Sequence, residues 1–430
     1  MKQYLNKNVY EATLYRIAYC FDEFDRVEVA FSGGKDSGVL LNIVYRYAKE
    51  NGLLGKMAIM HIDHEAVYQM TREYVIRMFD SMSDVSERQY LCLPLATNCG
   101  CRIDADYWVP WLQSDKDKWV YQKPDKPYVI DEENLGFSQF EVGMPLYDFQ
   151  LAYPKWRQDK TGERIIMLTG IRAGESWTRY MRARTDIRKY KKKKFIMEQA
   201  NGTFHGFPIY DWETQDVWIA NARFGFDYNR LYDLYYQAGV GVEQMRVANA
   251  FHCSGVQDIR LFKVIEPHTW GKLLSRVNGV SFAGIYGGTT AMGWKSITKP
   301  KHLTWKQYAE FLMMTLPPKV REIYKKKLEV SIKFWREKGG ALDDETVEEL
   351  KGCKFTHNRG AVSKISTKQV ISFDEYPDDL DVSNFREVPS YKRLCVCIMK
   401  NDLTCKYMGF AATKEEAVRR RAAIEKYKNL

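Results

Sequence analysis

"VAFSGGKDSGVLLNIVYRYA", residues 29–48, is the stretch on which the fold turns. An apolar strand runs into two adjacent glycines, a lysine, an aspartate and a serine. Val39, Leu40, Ile43, Val44 and Tyr47 then recur at helical spacing, and "ENG" stops the helix. In such a strand-to-helix turn Gly33 and Gly34 let backbone N–H groups point inward without a Cβ in the way. With the first free N–H groups of the helix they form an anion nest. Ser32 and Ser37 add hydroxyl donors and Lys35 adds a cation. Asp36 would repel a phosphate unless it faces a metal or caps the helix, so the set suits a multiply charged phosphate with Mg²⁺, and Asp36 is the candidate metal ligand. The spacing is not G-x-x-x-x-G-K-[ST], because both glycines directly precede the lysine.

Working outward, residues 9–24 read as a helix and "RVEVAF" as a buried strand. "KMAIMHID" is a second strand, "EAVYQMTREYVIRMF" a helix and "QYLCLPLA" a third strand. This alternation predicts an α/β fold, a parallel twisted sheet flanked by helices on both faces. Ligands in such sheets sit beyond the carboxyl ends of the strands, where "SGGKDS" and "HIDHE" both fall. Residues 1–235 read as this domain, interrupted by an insertion over about 100–160 and resumed by "RIIMLTGIRAGES". Residues 236–340 read as a mainly helical domain, with "TWKQYAEFLMM" and "PPKVREIYKKKLEVSIKFWREKGG" its clearest helices. For 341–430 the expectation is a linker followed by a small ββα appendage. The polar stretch 339–370 reads as that linker. "YKRLCVCIMKNDLTCKYMGFAA" reads as a hairpin turned at Asn401-Asp402, and "TKEEAVRRRAAIEKY" as the helix.

Across 430 residues the hydrophobic share is 45%, too apolar for a disordered chain, and the net charge of +10 favours polyanionic partners. Nine irregularly spaced cysteines do not make a disulfide framework. The N-terminus lacks a signal-peptide core, and no run approaches the roughly 18 apolar residues that span a bilayer. The chain reads as cytoplasmic, with no membrane partner.

"SGGKDS" resembles the pyrophosphate loop of the PP-loop ATP pyrophosphatase superfamily, whose folds are adenine nucleotide alpha hydrolase-like. "TGIRAGES" (residues 169–176) is similar to the second motif of its phosphoadenylyl-sulfate (PAPS) reductase and ATP sulfurylase branch. The resemblance implies an adenine nucleotide, ATP or a relative, cleaved with Mg²⁺ to AMP and pyrophosphate, usually by adenylylation of an acceptor. It implies that Ser32, Gly33, Gly34 and Ser37 hold pyrophosphate, that Lys35 neutralises charge and that Asp36 serves the metal. Arg172, a fork donor suited to phosphate or sulfate, would engage the α-phosphate or the acceptor. Gly170 and Glu175 belong to the same motif, and Asp63 of "HID" lies where the branch approaches the adenosine. "VIEPHTWGKLLSRVNGV" and "TWKQYAEFLMMTLP" resemble the C-terminal half of a subgroup that includes the immunoglobulin-binding regulator A (IbrA) proteins, described as transcription co-activators.

The sequence departs from a PAPS reductase in lacking the C-terminal Glu-Cys-Gly-Leu-His stretch that carries the reductase nucleophile. Cys395 and Cys397 fall two apart in an expected strand, as buried thiols facing one side. Cys92, Cys99, Cys101 and Cys253 read as ordinary thiols, with an iron–sulfur cluster as the alternative. "RYMRARTDIRKYKKKK" (Arg179–Lys194) carries nine Lys/Arg and one Asp. It is either a solvated charged face or a surface for nucleic acid or another polyanion. A protein partner is a further expectation, from the regulator-like subgroup.

Overall fold

The computed structural model describes residues 6–102, 107–175, 189–252, 255–286, 299–353, 355–362, 368–383, 387–400, 402–410 and 422. The elements begin with α1 (Val9–Glu23), whose Asn8 cap is closed by a reciprocal bond with Glu11. Next come β1 (Arg26–Ala30), α2 (Lys35–Glu50), β2 (Met57–Ile62), α3 (Gln69–Ser81) and β3 (Glu87–Leu91). β4 (Thr97–Asn98) precedes the expected insertion, which contains β5 (Tyr107–Trp108), β6 (Val129–Ile130) and nearly all of α4 (Leu146–Thr161). The sheet is completed by β7 (Ile165–Thr169), β8 (Ile196–Glu198) and β9 (Phe204–Gly206).

Among the described residues one sheet has the order β6-β3-β2-β1-β7-β9-β8. Every neighbouring pair in it is parallel except β8 with β9. The chain lays β2, β3 and β6 on one side of β1, then returns to place β7 on the other. That reversal is a topological switch point, and it opens a crevice beyond the ends of β1 and β7.

Strand alternation sorts the core. Val27, Val29, Ile59, Ile166 and Leu168 pack with α1, α2 and α3 in one cluster. Met60, Leu91 and Met167 point the other way, onto Phe149, Ala152 and Tyr153 of α4. Glu28, in the middle of β1, is buried under α4 and pairs there with Arg157, also buried.

After the sheet follow α5 (Thr214–Phe224), α6 (Leu231–Gln237), α7 (Leu261–Ile265), α8 (Pro267–Arg276), α9 (Val280–Tyr286), α10 (Trp305–Thr315) and α11 (Pro318–Glu337). No helix among the described residues is long and apolar enough to cross a membrane.

The end of the chain departs from expectation twice. The stretch 339–370, read as a linker, carries β10 (Gly340–Leu342), α12 (Asp344–Glu349), β11 (Thr356–Ala361) and the start of β12 (Gln369–Phe373). These strands form an antiparallel sheet in the order β10-β12-β11. Its few apolar residues suffice because Leu342, Ile371 and Phe373 share a core with Trp335 of α11. "YKRLCVCIM" is not a strand but α13 (Tyr391–Met399), with Ser390 as its cap. Its alternating pattern misleads because α13 is buried all round, Arg393, Leu394, Cys395 and Cys397 included, so no exposed stripe betrays the helical period. Asn401 and, apart from residue 422, the expected terminal helix of the ββα appendage over 413–427 lie outside the described residues.

Candidate functional site

The turn after β1 is where sequence and packing agree most closely. Gly33 has φ +75°, and a Cβ there would lie 2.8 Å from Val75 Cγ2 and 2.9 Å from Thr71 Cγ2 of α3. Glycine is therefore required by both backbone and space. Ser32 and Ser37 knit the turn: their hydroxyls are 2.9 Å apart, and Ser37 Oγ accepts from Ser32 N at 3.2 Å. Gly34 caps α2 with no side-chain bond. Buried Asn229 closes the turn from a distance, donating to Gly33 O at 3.0 Å and Thr71 Oγ1 at 2.9 Å.

Lys35 is buried. Its Nζ donates to Met245 O at 2.9 Å and lies 3.6 Å from Asp36 Oδ2. Its backbone N–H donates to Tyr232 Oη at 2.9 Å. Burial holds the Lys35 ammonium below its usual range; Asp36 opposes this, while Arg172 and Arg246 reinforce it. Arg172 Nε donates to Asp36 Oδ1 at 2.6 Å. The loop after β7 reaches Asp36 because Gly170 lies against the α2 terminus, where a Cβ would be 2.7 Å from Asp36 C and Ser37 N. Glu175 accepts from Arg172 N at 3.3 Å through Oε2, and its backbone carbonyl accepts from Arg246 at 3.4 Å. Lys35, Asp36, Gly170, Arg172 and Glu175 thus meet at the switch point, with Lys35, Arg172 and Arg246 outnumbering the two carboxylates. Asp36 meets a cation on each oxygen, so in this arrangement it anchors two loops.

A cavity of about 670 Å³ opens beside the turn, with Ser32, His61, His64, Thr169, His205 and His252 on its walls. Among the described residues no carboxylate lines it. His61 Nδ1 lies 2.7 Å from Phe31 O, and burial lowers its pKa. Burial, with help from His61 and His252, takes His64 down to about 4, so both imidazoles are neutral at pH 7. Among the described residues the buried Thr169 hydroxyl has no hydrogen-bond partner. Asp63 is buried behind this wall: its Oδ2 accepts from Tyr90 Oη at 2.6 Å and its Oδ1 from Glu65 N at 2.8 Å.

Sequence reasoning passed over Tyr232, Asn229, Met245 and Arg246. Met245 contributes only a carbonyl, which no motif records.

Of the basic run, residues 179–188 lie outside the described residues. The remainder lies along α1, with Lys191 bonded to Glu23 and Lys193 over the Tyr19 ring. Cys92, Cys99 and Cys101 are buried thiols. A hydrogen bond from Cys101 brings Cys99 down to about 7. Cys253 lies outside the described residues, and among those described no three His, Cys, Asp or Glu side chains are grouped to hold a metal ion.

Residues 152–243 match the phosphoadenosine phosphosulfate reductase domain, and residues 239–419 match a domain of unknown function, DUF3440. The uncharacterised protein YbdN of Escherichia coli (strain K12) is 30% identical over 419 residues, covering 96% of this chain and 93% of YbdN. Similar solved structures include a PAPS reductase from Candida auris in a phosphate complex: 15% identity, 54% of this chain, 93% of that chain, TM-score 0.29. Another is an FMN adenylyltransferase from Candida glabrata with FAD and inorganic pyrophosphate: 13% identity, 54% of this chain, 63% of that chain, TM-score 0.30.

Proposed function

The chain belongs to the YbdN family and carries a phosphoadenosine phosphosulfate reductase domain followed by a domain of unknown function; from that premise we propose that it binds ATP or a related adenine nucleotide and cleaves it at the α-phosphate. The observation that carries this reading is the meeting of a left-handed Gly33, the Gly34-capped α2 terminus, Lys35 and Arg172 at the switch point. In this reading Ser32, Gly33, Gly34 and Ser37 hold the pyrophosphate part through backbone and hydroxyl donors. Lys35 offsets the charge that develops on it, and Arg172 turns its guanidinium to the α-phosphate. Asp36 and Glu175 keep the two cations aimed, Gly170 lets the two loops approach, and Asp63 supports the nucleoside wall. Mg²⁺ belongs to the substrate, carried by the nucleotide's phosphates. Catalysis is then positioning and electrostatics, with no nucleophilic triad. The acceptor of the adenylyl group enters the cavity, where Thr169 offers a hydroxyl.

The test is α-labelled ATP with Mg²⁺, resolving AMP from ADP, beside a Lys35→Ala/Asp36→Ala variant. AMP that disappears in the variant is the expected result, and ADP would overturn the mechanism. The reductase-domain match also favours a second reading, a sulfonucleotide substrate. Burial takes the Cys395 thiol up to about 12, which leaves Cys99 as the more acidic candidate nucleophile. Thiol-dependent sulfite release from phosphoadenylyl sulfate would select this reading. The IbrA resemblance and a nucleic-acid partner for Arg179–Lys194 require a salt-sensitive shift of DNA or RNA, and its absence would remove them.

A further inference from the structure

The loop between β2 and α3 is held in an unusual way. Glu65 has φ +62° and is fully buried, as is Trp111, which has φ +55°. A non-glycine residue keeps such a conformation only where its surroundings over-determine it, and such residues gather at working sites. Here the determinants are explicit. Glu65 accepts from Trp111 N at 2.8 Å and Val120 N at 3.1 Å. It also takes both arms of Arg276, Nε at 2.7 Å and an Nη at 3.1 Å. Trp111 Nε1 in turn donates to Asp63 O at 2.7 Å.

Arg276 is the last residue of α8, and the residue at the other end of that helix grips the same loop. Glu266, the N-cap of α8, accepts from Gln69 N at 2.8 Å and Met70 N at 3.1 Å, the opening amides of α3. Tyr121 closes the span, donating to Val67 O at 3.1 Å beside Thr269 Oγ1 at 3.0 Å. Helix α8 is therefore bonded at both ends to a segment whose His64 and Val67 line the cavity. Among the described residues no hydrogen bond joins residues 63–70 to Ser32–Ser37.

We propose that α8 is a brace that sets the nucleoside wall of the cavity: Arg276 and Glu266 are positioning residues that fix the β2–α3 loop. The domain of unknown function would then be part of the nucleotide site and not an appended module. The proposal rests on the nucleotide reading above, and it separates two halves of one ligand. Inorganic pyrophosphate needs only the turn, whereas ATP also needs the wall.

The experiment is calorimetric binding of pyrophosphate and of ATP to the full chain and to the Arg276→Lys, Glu266→Ala and Glu266→Gln variants. Glu266 is half-buried, so its variants provide a readout even if the Arg276 change prevents folding. The expected result is ATP affinity reduced about tenfold or more, a loss of about 1.4 kcal/mol or more, in Arg276→Lys and Glu266→Ala. Glu266→Gln should recover part of it, and pyrophosphate affinity should stay within about twofold throughout. Equal losses for both ligands, or no loss, would overturn the brace and leave the nucleotide reading standing. A wild-type chain that binds neither ligand would overturn both.

Discussion

The glycine turn draws its donors from residues that adjoin in sequence, Ser32 to Ser37. Behind the cavity wall beside it, the β2–α3 loop is held by Glu65 and Arg276, which are 211 positions apart. The difference concerns what each must do. An anion nest needs N–H groups aimed at one point, and a short run of backbone with the right dihedrals supplies them. A wall that encloses a nucleoside needs area, which distant segments must supply and hydrogen bonds must then hold in place.

The sharpest break is Gly170→Val. Its Cβ would press on the α2 backbone and separate Arg172 from Asp36. Binding of both pyrophosphate and ATP should fall about 100-fold, as expected when a binding constellation shifts by about 1 Å. Unchanged pyrophosphate binding would show that the turn works without the β7 loop.

Acid should act on the wall first. His64 titrates near 6.5 when unfolded and near 4 when folded, so between those values the unfolded chain binds more protons. Stability should therefore fall by about 2 kcal/mol as pH drops from 6.5 to 4. Urea denaturation across that window would measure it, and His64→Gln should flatten the profile. His61 shifts in the same direction.

The smallest effect is expected from Tyr232→Phe, which removes one buried hydrogen bond from Lys35 N. Denaturation should show a loss of about 1 kcal/mol, with pyrophosphate affinity changed less than about threefold. A larger change in affinity would mean that the turn depends on a distant hydroxyl, blurring the contrast between the two halves.

Much of the fold was legible in the sequence where elements are amphipathic or buried on both faces. β1, α2, β2, α3 and β3 follow the apolar pattern, and so do α10 and α11. The pattern failed at α13, whose burial all round hides its period, and at β10–β12, where a few apolar residues lean on Trp335. In the site, the identity of the turn was legible because its residues are contiguous. Tyr232, Met245, Glu65, Glu266 and Arg276 were not, since each acts through a backbone group or a partner that no local spacing reveals.

By itself the sequence determined a strand, a glycine turn and a helix in succession, because those preferences are local to the backbone. Only the tertiary structure decided that β7 lies beside β1, bringing Arg172 to Asp36, and that α8 grips the β2–α3 loop. Both depend on which distant surfaces bury one another, and chain order does not carry that information.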